Sequence, residues 1–305
     1  MDISLIVPTY NAGPLWDEWL DALDRQTIMP DCVQVIDSSS HDDTVSKARS
    51  RGIDVTIIPS SEFNHGGTRN RALNLVCPSD VVMFLTQDAI FADQYSIERI
   101  IRAFCDSDVG AAYGRQLPRQ RAGPIEAHAR LFNYPKESYV VGSEDIHDRG
   151  LRTVFISNSF AAYRVEALKS VGGFPDNTIF AEDMHATARM VIKGWKVAYC
   201  ADATVYHSHA YSVLQEFKRY FDIGVFHSRE SWIQEKFSGA GGEGLRFVVS
   251  ELAYLAKCAP WLIPEAIFRT VAKYVGYKIG QKERYLSLPV KRKLSMHSRY
   301  WDQEI

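Results

Sequence analysis

The chain has 305 residues, 46% of them apolar, and a formal net charge of −2. That length and apolar content allow one large core with a smaller appendage and exclude a disordered chain. Its five cysteines, Cys32, Cys77, Cys105, Cys200 and Cys258, lack the short paired spacings of a zinc knuckle or a redox pair, which fits a reducing compartment.

The first segment, "MDISLIVPTYN", has no basic leader and its apolar run is broken at Pro8, so neither a signal peptide nor a membrane span is expected there. Four β-rich runs follow one another, "ISLIVPTY", "CVQVID", "VTIIPS" and "VVMFLT", each succeeded by a turn signal and a segment of helical period. In the first of these segments Trp16, Trp19, Leu20 and Leu23 make one apolar helical stripe. Strand alternating with helix predicts an α/β, Rossmann-like, mostly parallel sheet flanked by helices.

Ligands of such sheets lie beyond the carboxyl ends of the strands, where loops diverge and helix N-termini point inward. The polar residues expected there are Thr9 to Asn11, then Asp37 with Ser38 to Ser40, then the loop "FNHGGTRN", then Asp88 at the end of a strand read from "FLTQDAI", residues 84–90. The Gly-Gly pair of "GGTRN" is either a turn capped by Thr68 or a bare-backbone seat for a diphosphate with Arg69 beside it. It has the spacing of neither a phosphate-cradling Lys loop nor a dinucleotide fingerprint.

Further along come a helix "SIERIIRAFCDSD", a strand near "VGAAYGRQL" and a strand around "TVFISNSFAAYR". The polar stretch Arg115 to Gly150 between those strands is expected to be a mobile, acceptor-side loop. A helix with the stripe Met184, Ala188, Val191 and Ile192 starts at Glu182 and Asp183. Carboxylates at that place serve either as helix-start charges or as a general base on a rigid support.

The last strand, "KVAYCADATVYHSH", is read as ending on His207 and His209, two residues apart and therefore on one side. An imidazole from His207 beside the Asp88 carboxylate, completed by diphosphate oxygens and water, is an acceptable octahedral set for Mg2+ or Mn2+. Beyond Gln215 the chain reads as helical, with "SGAGGEG", residues 238–244, as a hinge. Residues 245–305 carry 11 Lys and Arg against 5 Asp and Glu, interleaved with Trp261, Phe268, Tyr274 and other apolar residues. That pattern suits amphipathic helices at a membrane surface, or helices packed on the main domain, and not a nucleic-acid patch.

Taken together, "IVPTYN", "VIDSSSHDDT", "FNHGGTRNRAL", "LTQDA", "SNSFAAYR", "FAEDMHATARMVIKGW" and "VYHSH" resemble the family 2 inverting glycosyltransferases of the GT-A fold, and among them the bacterial rhamnosyltransferase branch of cell-surface polysaccharide (O-antigen) synthesis. The resemblance implies a GT-A domain over residues 1–225 and a C-terminal helical, membrane-associating region over 226–305. It implies a donor site of Pro8, Thr9, Asn11, Asp37, Gly67, Arg69 and Gln87, with Asp37 reading the base and Arg69 near the phosphates. Asp88 and His207 would hold the metal, Asp183 would be the catalytic base, and Asn158 and Glu182 would lie on the acceptor side.

The implied donor is dTDP-L-rhamnose, the implied acceptor a glycan or lipid-linked glycan, and the implied place the cytoplasm, peripheral to the inner face of the membrane. The sequence departs from the family pattern at Thr86, where another metal-binding carboxylate usually stands. Another nucleotide sugar, or a non-catalytic sugar-binding scaffold of the same fold, stay open as alternatives. A dinucleotide-dependent oxidoreductase is disfavoured because the first strand ends in "PTYNAG", without the glycine fingerprint.

Overall fold

A computed structural model describes residues 1–238 and 242–304. Its first part alternates as expected: β1 (Ile3–Thr9), α1 (Trp16–Asp24), β2 (Cys32–Asp37), α2 (Thr44–Ser50), β3 (Asp54–Ile57), α3 (His65–Leu73) and β4 (Val81–Leu85). Next come β5 (Ile90–Phe91), α4 (Ser96–Ile101), β6 (Val109–Leu117), α5 (Pro124–Asn133), β7 (Tyr139–Val141) and α6 (Ile146–Arg149). They are followed by β8 (Phe160–Arg164), α7 (Val165–Ser170), α8 (Glu182–Ile192) and β9 (Lys196–Tyr206). The rest is helical: α9 (Val213–Arg229), α10 (Ser231–Lys236), α11 (Glu243–Cys258), α12 (Ile263–Gly280) and α13 (Leu288–Leu294).

The strands join one sheet in the order β3-β2-β1-β4-β8-β6-β9-β5, with β7 on β9. Its first half is parallel, as the alternation predicts. Beyond β4 it is mixed, since β8 runs antiparallel to both β4 and β6 while β6 and β9 are parallel. Burial on both faces explains the apolar run Leu5–Val7 in β1 and the unbroken one of β4. Leu5 and Val7 face one core, with the stacked Trp16 and Trp19 of α1, and Ile6 faces the other.

Several boundaries differ from expectation. The strand read through "FLTQDAI" stops at Leu85, and a turn closed by Ala89 N–H on Thr86 O carries Asp88. β9 likewise stops at Tyr206, one residue before His207. The Arg115 to Gly150 stretch is not a loop: it completes β6 and then folds as α5, β7 and α6. Its polarity misled because α5 buries little apart from His128 and lines a cleft with Glu126, Arg130 and Asn133.

The boundary expected at residue 225 falls within α9. Phe221, Val225, Phe226 and Trp301 share one apolar core with Ile6, Phe84 and Tyr163, so the C-terminal helices are packed onto the sheet domain. α12 lies against α9 at glycine distance: a Cβ on Gly224 would come within 2.2 Å of Tyr277 O, and one on Gly280 within 2.0 Å of Phe221 O. Of the expected hinge, residues 239–241 lie outside the described residues, and Gly242 takes φ 99° immediately before α11.

Candidate active site

The two carboxylates that open α8 occupy different environments. Glu182 is buried and ion-paired with Arg69 at 3.1 Å, and it accepts a hydrogen bond from Asn158 Nδ2 at 3.0 Å. Burial opposes its ionisation, but Arg69, His65 and Asn158 hold its carboxyl below the usual range. Asp183 is half-buried; one oxygen accepts from Asn158 N–H at 3.0 Å and the other from Met184 N–H at 2.8 Å. Burial and the adjacent Glu182 charge push Asp183 up to about 7, against the pull of those two amides and of Arg69. A carboxylate poised near neutrality and fixed at both oxygens has the character of a general base.

The turn before α8 is strained in a way that aims this pair. Ala181 sits in the left-handed region at φ 57°, a conformation that costs a non-glycine residue on the order of 1–3 kcal/mol. Asn158 comes from the turn before β8, where Tyr163 OH donates to its Oδ1 at 2.8 Å. Its polar atoms therefore serve the two carboxylates and Tyr163, a positioning task in place of the acceptor contact expected of it.

Asp88 meets two histidines. His207 Nε2 lies 3.4 Å and His209 Nε2 3.6 Å from Asp88 Oδ2, and ligating atoms of all three lie within 4.8 Å of one another. The tautomer of His207 follows from its other nitrogen. Arg130 Nη1, which can only donate, lies 2.7 Å from Gln116 Oε1, and that same oxygen lies 2.8 Å from His207 Nδ1. The amide atom is thus an oxygen acceptor and Nδ1 carries the proton.

Burial, together with Arg130 and Arg119, lowers the His207 pKa against the pull of Asp88, and with Nδ1 turned to Gln116 it is Nε2 that faces the carboxylate. His209 is pushed down to about 4 by burial and by His207. Burial opposes the Asp88 charge as well, but His207, Thr86 and His209 keep its carboxyl well below the usual range. Two imidazoles and one carboxylate whose ligand atoms converge in this way form a donor set that a divalent cation satisfies. Gln116 supplies the outer hydrogen bond that orients such a ligand. The set fits a metal even with Thr86 in place of a second carboxylate.

The base and the metal cluster open on one space. A cavity of about 420 Å3 is lined by Asp183, Glu182, Arg69, Thr86, His207 and His209, among others. The nucleotide-side residues lie at the carboxyl ends of β1 and β2. Asp37 is fully buried and accepts from Thr9 Oγ1 at 2.8 Å and from Ser40 N–H at 2.7 Å. Pro8 is in register with Ile36. Asn11, at φ 45°, accepts from His41 N–H through its side chain, and the Gln87 amide grips Tyr10 N–H at 2.7 Å and Tyr10 O at 3.1 Å. Asp37 thus ties the ends of β1 and β2 together at this loop.

Two further residues expected at the donor have partners within the protein. α3 begins at His65, capped by Asn64, which takes the Gly67 N–H at 2.5 Å, so that amide is not a free phosphate seat. Gly66 is demanded by packing, since a Cβ there would stand 1.8 Å from Pro175 O. Arg69 is turned inward to Glu182 and to His65 O at 2.8 Å, where it balances a buried charge and is not directed at a phosphate. Sequence reasoning missed Gln116, Arg119, Arg130 and Arg219, which carried no motif; His209 was visible two residues from His207.

Comparison with known proteins agrees with this geometry. Residues 1–221 match the family described as glycosyltransferase like family 2. The chain is 52% identical over 300 residues to the O-antigen chain rhamnosyltransferase WbaN of Salmonella anatum, covering 98% of this chain and 95% of that protein. It is 51% identical over 303 residues to RfbN of Salmonella typhimurium, which has the same description, covering 99% of this chain and 96% of that one. In fold it resembles the mannosyltransferase PcManGT of Pyrobaculum calidifontis, solved with GDP-Man and Mn2+, at TM-score 0.58 and 22% identity over 98% of this chain and 84% of that chain. It also resembles S. aureus TarS residues 1–349 with UDP-GlcNAc, at TM-score 0.54 and 19% identity over 93% and 91% of the two chains. The chain belongs to the glycosyltransferase family 2, with the GT-A fold.

Proposed function

We propose that this glycosyltransferase moves L-rhamnose from dTDP-L-rhamnose to a hydroxyl of a lipid-linked glycan in O-antigen synthesis, with inversion at the anomeric carbon. The observation that carries the chemistry is Asp183, raised to about 7 and held at both oxygens, on the wall of the cavity that His207 and His209 also line. The sugar and pathway rest on the two Salmonella relatives named as O-antigen rhamnosyltransferases.

In the reaction Asp183 takes the proton of the acceptor hydroxyl as that oxygen bonds to the anomeric carbon. The bond from that carbon to the diphosphate oxygen breaks on the opposite face, and the nucleoside diphosphate departs with the electron pair. A β-linked donor yields an α-L-rhamnoside. Asp88, His207 and His209 would hold Mg2+ or Mn2+, whose charge offsets that of the leaving diphosphate. Glu182, Asn158 and Arg69 act on the base and not on the sugar: they set its charge environment and its direction.

The enzyme works at the cytoplasmic face of the membrane by peripheral contact. No helix among the described residues is long and apolar enough to cross a bilayer. α11 and α12 instead expose Leu245, Val249, Phe268, Val271 and Tyr274, each more than half accessible, a pattern of interfacial helices.

The test is release of dTDP from dTDP-L-rhamnose with an acceptor extract containing lipid-linked glycans. Wild type turns over, whereas Asp183→Asn loses turnover and keeps its thermal shift with dTDP and Mn2+. Equal turnover by the two proteins would remove Asp183 as base, and preference for another nucleotide sugar would remove rhamnose.

A further inference from the structure

A second cavity, of about 680 Å3, lies between α5, α9, α11 and α12. It adjoins the catalytic cavity, and the two share Arg130, Asn133, His209, Arg219 and Ile223 along their common wall. The charges of this second cavity are divided between its ends. Toward α12, Arg269 lies 3.1 Å from Glu216 and 2.7 Å from Glu265, and Lys273 lies 3.4 Å from Glu216. Those cations are neutralised where they stand.

The wall shared with the catalytic cavity is different. Arg219 has no carboxylate or hydrogen-bond partner among the described residues; its guanidinium lies over Phe180 at 4.7 Å and Tyr211 at 5.7 Å. Arg130 donates to the Gln116 amide, and its Nε is buried without a partner. Two guanidinium groups with unused donors, one over aromatic faces and the other with its Nε buried, favour an anion of phosphate type that can accept from both.

Beside this cavity runs an apolar strip. Phe268 is three residues from the cavity-lining Glu265, hence on the adjoining side of α12. Trp261, Phe268 and Val275 are 72%, 63% and 40% exposed, and their sevenfold spacing, with Val271 between, makes one stripe.

We propose that this second cavity is the acceptor subsite for a phosphorylated amphiphile. Its phosphate or diphosphate sits against Arg219 and Arg130, its sugar reaches through the shared wall toward Asp183, and its hydrocarbon chain lies along the Trp261–Phe268–Val275 stripe. The inference rests on the transferase reading and deepens it by assigning the acceptor's anionic group to named residues, apart from the cluster that would hold the donor's metal.

Full-length protein treated with EDTA is titrated with farnesyl diphosphate, farnesol and inorganic pyrophosphate, followed by tryptophan fluorescence and calorimetry. Farnesyl diphosphate is expected to bind without metal, at least roughly tenfold more tightly than either fragment, and to stay bound when dTDP and Mn2+ are added in excess. Arg219→Gln and Arg130→Gln each weaken it roughly tenfold or more, and Phe268→Asp weakens it while leaving pyrophosphate affinity unchanged. All variants are first checked for wild-type thermal unfolding.

Displacement by dTDP with Mn2+ would place the diphosphate in the donor site and overturn the proposal. So would equal affinity for farnesol, or indifference to both arginine substitutions. Hydrolysis of dTDP-L-rhamnose by wild type is scored separately; its loss would sink the transferase reading, and its persistence beside a failed titration would sink only the subsite.

Discussion

Arg69 and Glu182 form an ion pair at 3.1 Å with only 5% and 7% of their side chains accessible, and Glu182 is the chain neighbour of Asp183. A buried pair of this kind costs desolvation on both sides, and removing one partner strands the other. Arg69→Gln is therefore expected to destabilise the protein by about 3–5 kcal/mol, read by urea unfolding. The double change Arg69→Met with Glu182→Met should recover much of that loss, because no lone charge is left.

The position of Asp183 near 7 gives a pH dependence with a definite sign. The general base works unprotonated, so kcat/KM should rise with pH up to about 7 and level off above it. Stability runs the other way. The folded pKa lies above the unfolded value of about 3.9, so the folded state holds the extra proton between them and stability falls as pH rises through that window. Asp183→Asn should flatten this decline; an unchanged stability profile would show that Asp183 titrates normally.

In the proposed metal site His207 would present Nε2 to the ion while its Nδ1 is held by Gln116. Gln116→Leu should weaken Mn2+ binding in the presence of dTDP by about 10–100-fold, measured by the electron paramagnetic signal of free Mn2+. His209→Ala should weaken it as well, and Asp88→Asn should abolish it. Retention of wild-type affinity in His209→Ala would leave Asp88 and His207 as the protein ligands.

The α9–α12 crossing depends on glycines. Gly280→Leu would push a side chain into Phe221 O, which a Cβ alone approaches to 2.0 Å. An overpacked site of this kind costs about 1–3 kcal/mol or more, so thermal unfolding should move down by several degrees. A neutral result would mean that α12 can slide.

Trp261→Asp combined with Phe268→Asp should release the protein from anionic vesicles in a flotation assay, because both side chains are exposed on the stripe proposed to meet the membrane. Dissociation of the wild type at moderate salt, with the double variant unbound at any salt, is the expected pattern. Wild-type protein that never floats would assign the stripe to another partner.

Much of the scaffold was legible along the chain. The strands of the first half and the Trp16–Leu23 stripe are periodic features, a local property that burial of a sheet or a helix face imposes on sequence, whereas the stripe expected of α8 holds at Ala188 and Val191 and fails at Ile192, which is exposed. Asp88, His207 and Asp183 were visible because each lies just beyond or at the start of a regular element, where site residues of an open α/β sheet collect. The glycines of "GGTRN" were misjudged for the opposite reason. Gly66 serves the close approach of Pro175, and no short-range pattern announces a partner a hundred residues away.

The sequence by itself determined the kind of elements, their order and the family to which they belong, because alternation of apolar and polar residues and ordered motif blocks are written locally. Only the tertiary structure decided that β8 enters antiparallel between β4 and β6, that Arg69 faces Glu182, and that His209 and Gln116 complete the environment of His207. Those outcomes depend on pairing partners and distances of a few ångströms, set by packing across the whole fold, and a charge or lone pair acquires its task only from what stands opposite it.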